Sequence, residues 1–184
     1  EGGIEAIVMT ASGCGVMVKD YGHLFADDPV YAAKAKKIAD LTKDISEILP
    51  NLENELVQLL GTDQKPGVVY HPPCTLQHGQ QLKGGVEKHL ADLGFAIQVA
   101  NTEAHLCCGS AGTYNLLQPE ISGQLRARKV ATLEEKKPQV IAAGNLGCMM
   151  QIAGGTTVPV VHTVELLDWA TGGPVPRKLR QMPA

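Results

Sequence analysis

The sequence predicts an α/β domain of Rossmann-like, three-layer form, with a mostly parallel sheet between helices. Three observations predict it. Five short, nearly unbroken apolar runs are present: EAIVMT (5–10), GVVY (67–70), AIQVA (96–100), QVIAA (139–143) and VPVVH (158–162). Such runs suit strands buried on both faces of a parallel sheet. Segments with helical periodicity separate them, which implies right-handed βαβ crossovers and helices on both faces. The cysteines then fall just after strands: Cys14 after the first, Cys74 after the second, Cys107 and Cys108 after the third, Cys148 after the fourth. In a parallel sheet these loops emerge together at the carboxyl edge, where open α/β sheets bind ligands.

The elements follow in order. After strand 5–10, DDPVYAAKAKKIADLTKDISEIL (27–49) reads as one long helix, with Asp28 as cap and Pro29 in its first turn. Ile38, Leu41, Ile45 and Ile48 supply its apolar stripe. NLENELVQLLG follows, capped by Asn51 and stopped by Gly61. Beyond strand 67–70, QHGQQLKGGVEKHLADLG reads as a helix weakened by Gly84 and Gly85 and ended by Gly94. QPEISGQLRARKVATLEEKK is a helix stopped before Pro138, and TVELLDWATGG is a last helix with Thr163 as cap. The tail PVPRKLRQMPA reads as loosely held surface.

IVMTASGCGVM (7–17) echoes IAAGNLGCMMQ (141–151), each an apolar strand, Gly-Cys and an apolar helix start. Gly13 and Gly147 are expected to turn the chain just before the sulfur. The echo suggests two related modules, and the chain is expected to divide into 1–28, the end of an upstream module; 29–66, a helical connection; 67–174, a second module; and 175–184, a tail.

With 16 Lys and Arg against 19 Asp and Glu, the net charge of −3 excludes a basic footprint for nucleic acid or an anionic membrane. No apolar run is long enough to span a bilayer, and no signal peptide is visible. The start EGGIEAIVMT reads as a fragment whose beginning lies elsewhere. Five cysteines, an odd number in a chain of cytosolic character, favour metal or redox chemistry over a disulfide framework. Adjacent Cys107 and Cys108 are badly placed to bridge each other. Thiolates gathered on one rim select an iron–sulfur cluster, zinc or copper(I). The absence of a C-x-x-C knuckle argues weakly against common zinc folds. Helix starts after Cys74 and Cys148 would aim N–H groups at the sulfurs. His71, His105 and His162 fall near the same rim as candidates for a second shell or a substitute ligand.

The motifs HPPC (71–74), CCGSAGTYN (107–115) and GNLGC (144–148) resemble the cysteine-rich, or CCG, domain family. Residues 67–174 resemble in particular the iron–sulfur subunits of glycolate oxidase. The resemblance implies Cys74, Cys107, Cys108 and Cys148 as metal ligands, with Cys14 belonging to the upstream module. It implies an iron–sulfur cluster, [4Fe-4S] by type, with zinc as the alternative and loss of the centre from an isolated fragment expected. Gln151 stands where several relatives carry the second cysteine of C-x-x-C. Gly109, Gly147 and Gln151 join the histidines around the site. The implied function is an electron-transfer module, not catalytic alone, that works with the flavoprotein subunits of glycolate oxidase and sends electrons toward quinone. The implied setting is cytoplasmic, peripheral to the membrane. The alternatives are a zinc-bound or metal-free interaction domain and, last, thiol–disulfide chemistry at Cys107 and Cys108.

Overall fold

The computed structural model describes residues 3–61 and 64–180. Its chain order is β1 (Ile7–Met9), α1 (Ser12–Lys19), α2 (Tyr21–Leu24), α3 (Ala32–Leu41), β2 (Thr42–Asp44), α4 (Ile45–Ile48) and α5 (Glu53–Gln58). There follow β3 (Gly67–His71), α6 (Gly85–Asp92), β4 (Ala96–Val99), α7 (Tyr114–Leu117), α8 (Pro119–Glu134), β5 (Val140–Ala143), α9 (Leu146–Ala153), β6 (Val160–His162) and α10 (Thr163–Ala170). A four-stranded sheet has the order β4-β3-β5-β6, and every pairing in it is parallel. The α/β class and the five expected strands are therefore present.

The central strands β3 and β5 are apolar because both faces are covered. Val68 and Tyr70 face one core with Leu90 of α6 and Leu166 of α10. Val69 and Ile141 face the other with Val130 and Leu133 of α8 and Ile152 of α9. Each fully buried side chain of this kind contributes about 1.5–3 kcal/mol. AIQVA departs from the expected two-sided burial, because β4 is the sheet's edge and its residues are largely exposed.

The long helix expected over 27–49 is broken. Asp28 does accept N–H bonds from Val30 and Tyr31, both at 2.8 Å, but regular helix starts only at Ala32. It ends at Leu41, and Thr42–Asp44 forms β2, parallel to β1 in a separate two-stranded sheet. The Asp44 side chain then caps α4 by accepting from the Ser46 N–H, while Glu47 accepts from the Asp44 N–H. This reciprocal cap is a strong local stop that the apolar stripe overrode on paper. Asn51 lies within a 3₁₀ turn, Leu49–Leu52, rather than capping α5. Gly84, at φ +75°, marks where the helix expected from residue 77 begins as α6, and Gly94, at φ +88°, ends it as expected. The described part of the tail is seated: Leu179 is buried, and Lys178 Nζ donates to the Val160 carbonyl at 2.9 Å.

Candidate metal centre

At the carboxyl edge of the four-stranded sheet, the segments after β3 and β4 carry Cys74, Cys107 and Cys108, α9 after β5 carries Cys148 in its first turn, and α1 brings Cys14. Cys14, Cys74, Cys107, Cys108 and Cys148 all line one cleft of about 470 Å³. Cys14 reaches it from the two-stranded sheet and is exposed, whereas Cys108 and Cys148 are buried. The two Gly-Cys segments that echo each other abut. Ser12 N–H donates to the Gly144 carbonyl at 3.1 Å, and Gly13 N–H donates to Asn145 Oδ1 at 3.2 Å. Ser12 Oγ also bonds Thr75 Oγ1 at 2.7 Å, next to Cys74.

The thiols influence one another in the order Cys74, Cys107, Cys108, Cys148. Cys107 is held well below the ordinary thiol range, first by the Cys108 and then by the Cys74 thiol beside it. Cys148 is lowered to about 5, first by Cys108, with His71 and Asn145 helping against the cost of burial. Cys74 and Cys108 are pushed far up by their Cys107 and Cys148 neighbours and by burial. The four sulfurs thus differ in direction, Cys107 and Cys148 lowered, Cys74 and Cys108 raised. Two backbone or side-chain donors add to this: Gly109 N–H to Cys107 Sγ at 3.3 Å and Asn145 Nδ2 to Cys148 Sγ at 3.5 Å.

The Cys-Cys-Gly loop is clamped from behind. Gly109 has φ +91°, and Ser122 Oγ donates to its carbonyl at 2.9 Å. Gln151 Nε2 donates to Ser122 Oγ at 2.7 Å, so its amide is spent on the clamp and not on the cleft. Lys129, fully buried, donates through Nζ to the Glu103 carbonyl at 2.6 Å and to that of Ala104. Burial lowers its pKa, and the neighbouring Cys108, Glu103 and Cys107 groups oppose that fall. Lys129, Asn145, Ser110 and Ser122 escape a reading of the sequence. Only the lysine leaves a trace there, as a charge on the apolar side of α8.

The remaining candidates divide. His71 is buried and sits with Cys108 and Cys148: one ligand atom from each lies within 4.8 Å of the others. His105 is exposed on its loop and does not line the cleft, so it is set aside. His162 is the N-cap of α10 in place of Thr163; its Nδ1 accepts from Val164 N–H at 3.1 Å while Glu165 accepts from its own N–H. Gly13 and Gly147 do not turn the chain but lie inside α1 and α9. They are needed for close approach, since a β-carbon at Gly147 would stand 2.7 Å from Ser110 Oγ and one at Gly13 3.0 Å from Asn145 Oδ1.

The donor set fits a soft metal or an iron–sulfur cluster: four sulfurs, flanking hydrogen-bond donors and one buried imidazole. Among the described residues no helix is long and apolar enough to cross a membrane.

Comparison with known proteins adds to this geometry. The cysteine-rich domain family, CCG, matches residues 68–153. The chain is 44% identical over 170 residues to the glycolate oxidase iron-sulfur subunit of Escherichia coli (strain K12), covering 92% of this chain and 41% of that protein. It is 30% identical over 175 residues to lactate utilization protein A of Bacillus licheniformis, covering 89% of this chain and 70% of that protein. Lactate utilization protein A of Bacillus subtilis (strain 168) is 31% identical over 172 residues, with the same 89% and 70% coverage. The chain spans less than half the length of the first of these and about 70% of the other two.

Proposed function

Because the chain belongs to the cysteine-rich CCG domain family, we propose that it is an iron–sulfur electron-transfer module of a multi-subunit oxidoreductase, and more narrowly of a flavin-dependent glycolate oxidase. The observation that carries the proposal is the meeting of Cys74, Cys107, Cys108 and Cys148 in one cleft from the segments that follow three separate strands. The likeness to a glycolate oxidase iron-sulfur subunit supports it. These four cysteines would hold the centre, a [4Fe-4S] cluster by our reading, which supplies one-electron transfer when bound. Gly109 N–H and Asn145 Nδ2 would stabilise charge on the sulfurs, and Lys129 would hold the loop in front of them. Flavoprotein subunits would deliver electrons from the oxidation of glycolate to glyoxylate, and quinone would receive them at the cytoplasmic side of the membrane. Residues 1–28 would close an upstream module, with residues 67–174 as the second. The separateness of the β1–β2 sheet from the four-stranded sheet and the likeness of α1 to α9 support two modules, although β2 draws residues 42–44 to the upstream side.

A cleft of about 470 Å³ favours a polynuclear centre, since one water takes only ~30 Å³. The close trio of His71, Cys108 and Cys148, with donor atoms within 4.8 Å of one another, favours a second reading, a single zinc ion in a structural role. Anaerobic purification with a visible spectrum and elemental analysis separates the two. Broad absorbance with iron and sulfide is expected; zinc alone would move the assignment to the second reading, and neither metal would leave a metal-free interaction domain.

A further inference from the structure

Side chains alternate along β3, so His71 shares a face with Val69, opposite Tyr70. That face is the core containing Cys108 and Cys148. His71 is 1% exposed, and neither of its ring nitrogens has a hydrogen-bond partner. Buried polar groups are satisfied almost without exception, so an imidazole idle at both nitrogens points to a ligand. The three donor atoms of His71, Cys108 and Cys148 lie within 4.8 Å of one another. Donors sharing one tetrahedral ion at zinc-like bond lengths stand about 3.5–3.8 Å apart, so a small inward movement closes the trio. The other non-cysteine candidates are accounted for. Gln151 is bonded to Ser122, His162 Nδ1 caps α10, and His105 is exposed.

We propose that His71 is itself a metal ligand, its imidazole joining the Cys108 and Cys148 thiolates as the buried part of the donor set. The inference rests on the reading of the cleft as a metal centre. Where the imidazole takes the place of one of the four thiolates, the donor set is less negative by one charge, which would raise the reduction potential of an iron–sulfur centre. It also keeps the site open to zinc or cobalt, which take mixed nitrogen and sulfur ligands.

The test uses the reduced chain, loaded anaerobically with cobalt(II) or zinc and, separately, reconstituted with iron and sulfide. X-ray absorption at the bound metal reads the donor shell directly. One nitrogen at about 2.0 Å beside sulfurs at about 2.3 Å is expected. In His71→Gln the nitrogen should vanish and cobalt(II) should bind at least 10-fold more weakly, the scale on which even outer partners of metal ligands act. An all-sulfur shell in the unaltered chain would overturn the role of His71 while leaving the metal centre intact. So would a nitrogen that persists in His71→Gln. Failure of the unaltered chain to take up any of these metals would overturn the metal reading and this inference with it. Should His71→Gln not fold, the donor shell of the unaltered chain decides alone.

Discussion

A β-carbon at Gly109 would stand 2.6 Å from the Ser122 carbonyl oxygen, on a backbone with φ +91°. No rotamer relieves a clash with backbone, and the conformation itself favours glycine. Gly109→Ala is expected to destabilise the fold by about 1–3 kcal/mol, measured as a lower denaturant midpoint under reducing conditions. It should also weaken metal uptake, because the Gly109 N–H faces Cys107. An alanine variant as stable as the parent would remove the clamp from the account. His162 gives a second expectation. Burial lowers its pKa, so the fold prefers the neutral ring, whose Nδ1 can accept from Val164 N–H. Its contribution is complete above the unfolded imidazole value near pH 6.5 and is lost as pH falls through the lower folded value. His162→Asn keeps a capping acceptor without the titration, so its stability should vary less with pH between about 7 and 5. Equal slopes for the two proteins would show that His162 does not titrate as argued.

Among the elements, the junction of β2 and α4 was least visible in the sequence. Ile38, Leu41, Ile45 and Ile48 keep helical spacing straight through it. Asp44 and Glu47 nevertheless impose a reciprocal cap, and Lys19 of α1 pairs with Glu47. Periodicity reports which residues are apolar, not where a buried carboxylate turns back to bond the chain. Strands β3, β5 and β6 were legible because burial on both faces demands uninterrupted apolar residues. The gathering of the cysteines was legible because parallel strands send their following loops to one edge. His71 could be placed near that edge, but its isolation from hydrogen-bond partners could not. The supports from Lys129 and Ser122 depend on long-range contacts that carry no local signature. Asp44→Ala should cost about 1 kcal/mol as a lost cap. Glu47 adds a pH dependence. Burial would raise its pKa, but the Lys19 bond and the Asp44 N–H outweigh it and the value falls. Its support is therefore present above the ordinary carboxylate value and fades as pH drops through the folded one. Glu47→Gln should flatten the acid limb of the stability curve, and an unchanged limb would count against the pair.

At the scale of the molecule, two cores on opposite faces of the sheet account for the fold without help from a metal. Thermal unfolding of the metal-free, reduced chain should therefore remain cooperative, unlike a zinc finger, which needs its ion to fold. A metal-free chain lacking any transition would make the metal structural and favour zinc. Cys14 is exposed where Cys108 is buried. Cys14→Ser should keep most bound metal, whereas Cys108→Ser should lose it; equal losses would place Cys14 in the same ligand set.

The strand order β4-β3-β5-β6 also governs the sequence of events in time. Val68 pairs with Val140, far along the chain, and among the described residues no two neighbouring strands are joined by a hairpin. Closing such distant pairings is the slow step in folding, because chain entropy is surrendered before contacts repay it. Cys74 and Cys148 follow the very strands that this closure joins, β3 and β5. Until those strands meet, their sulfurs are strangers in a mobile polymer. A centre held by these sulfurs would therefore be assembled into a finished vessel, and refolding should run at the same rate whether metal is offered or withheld.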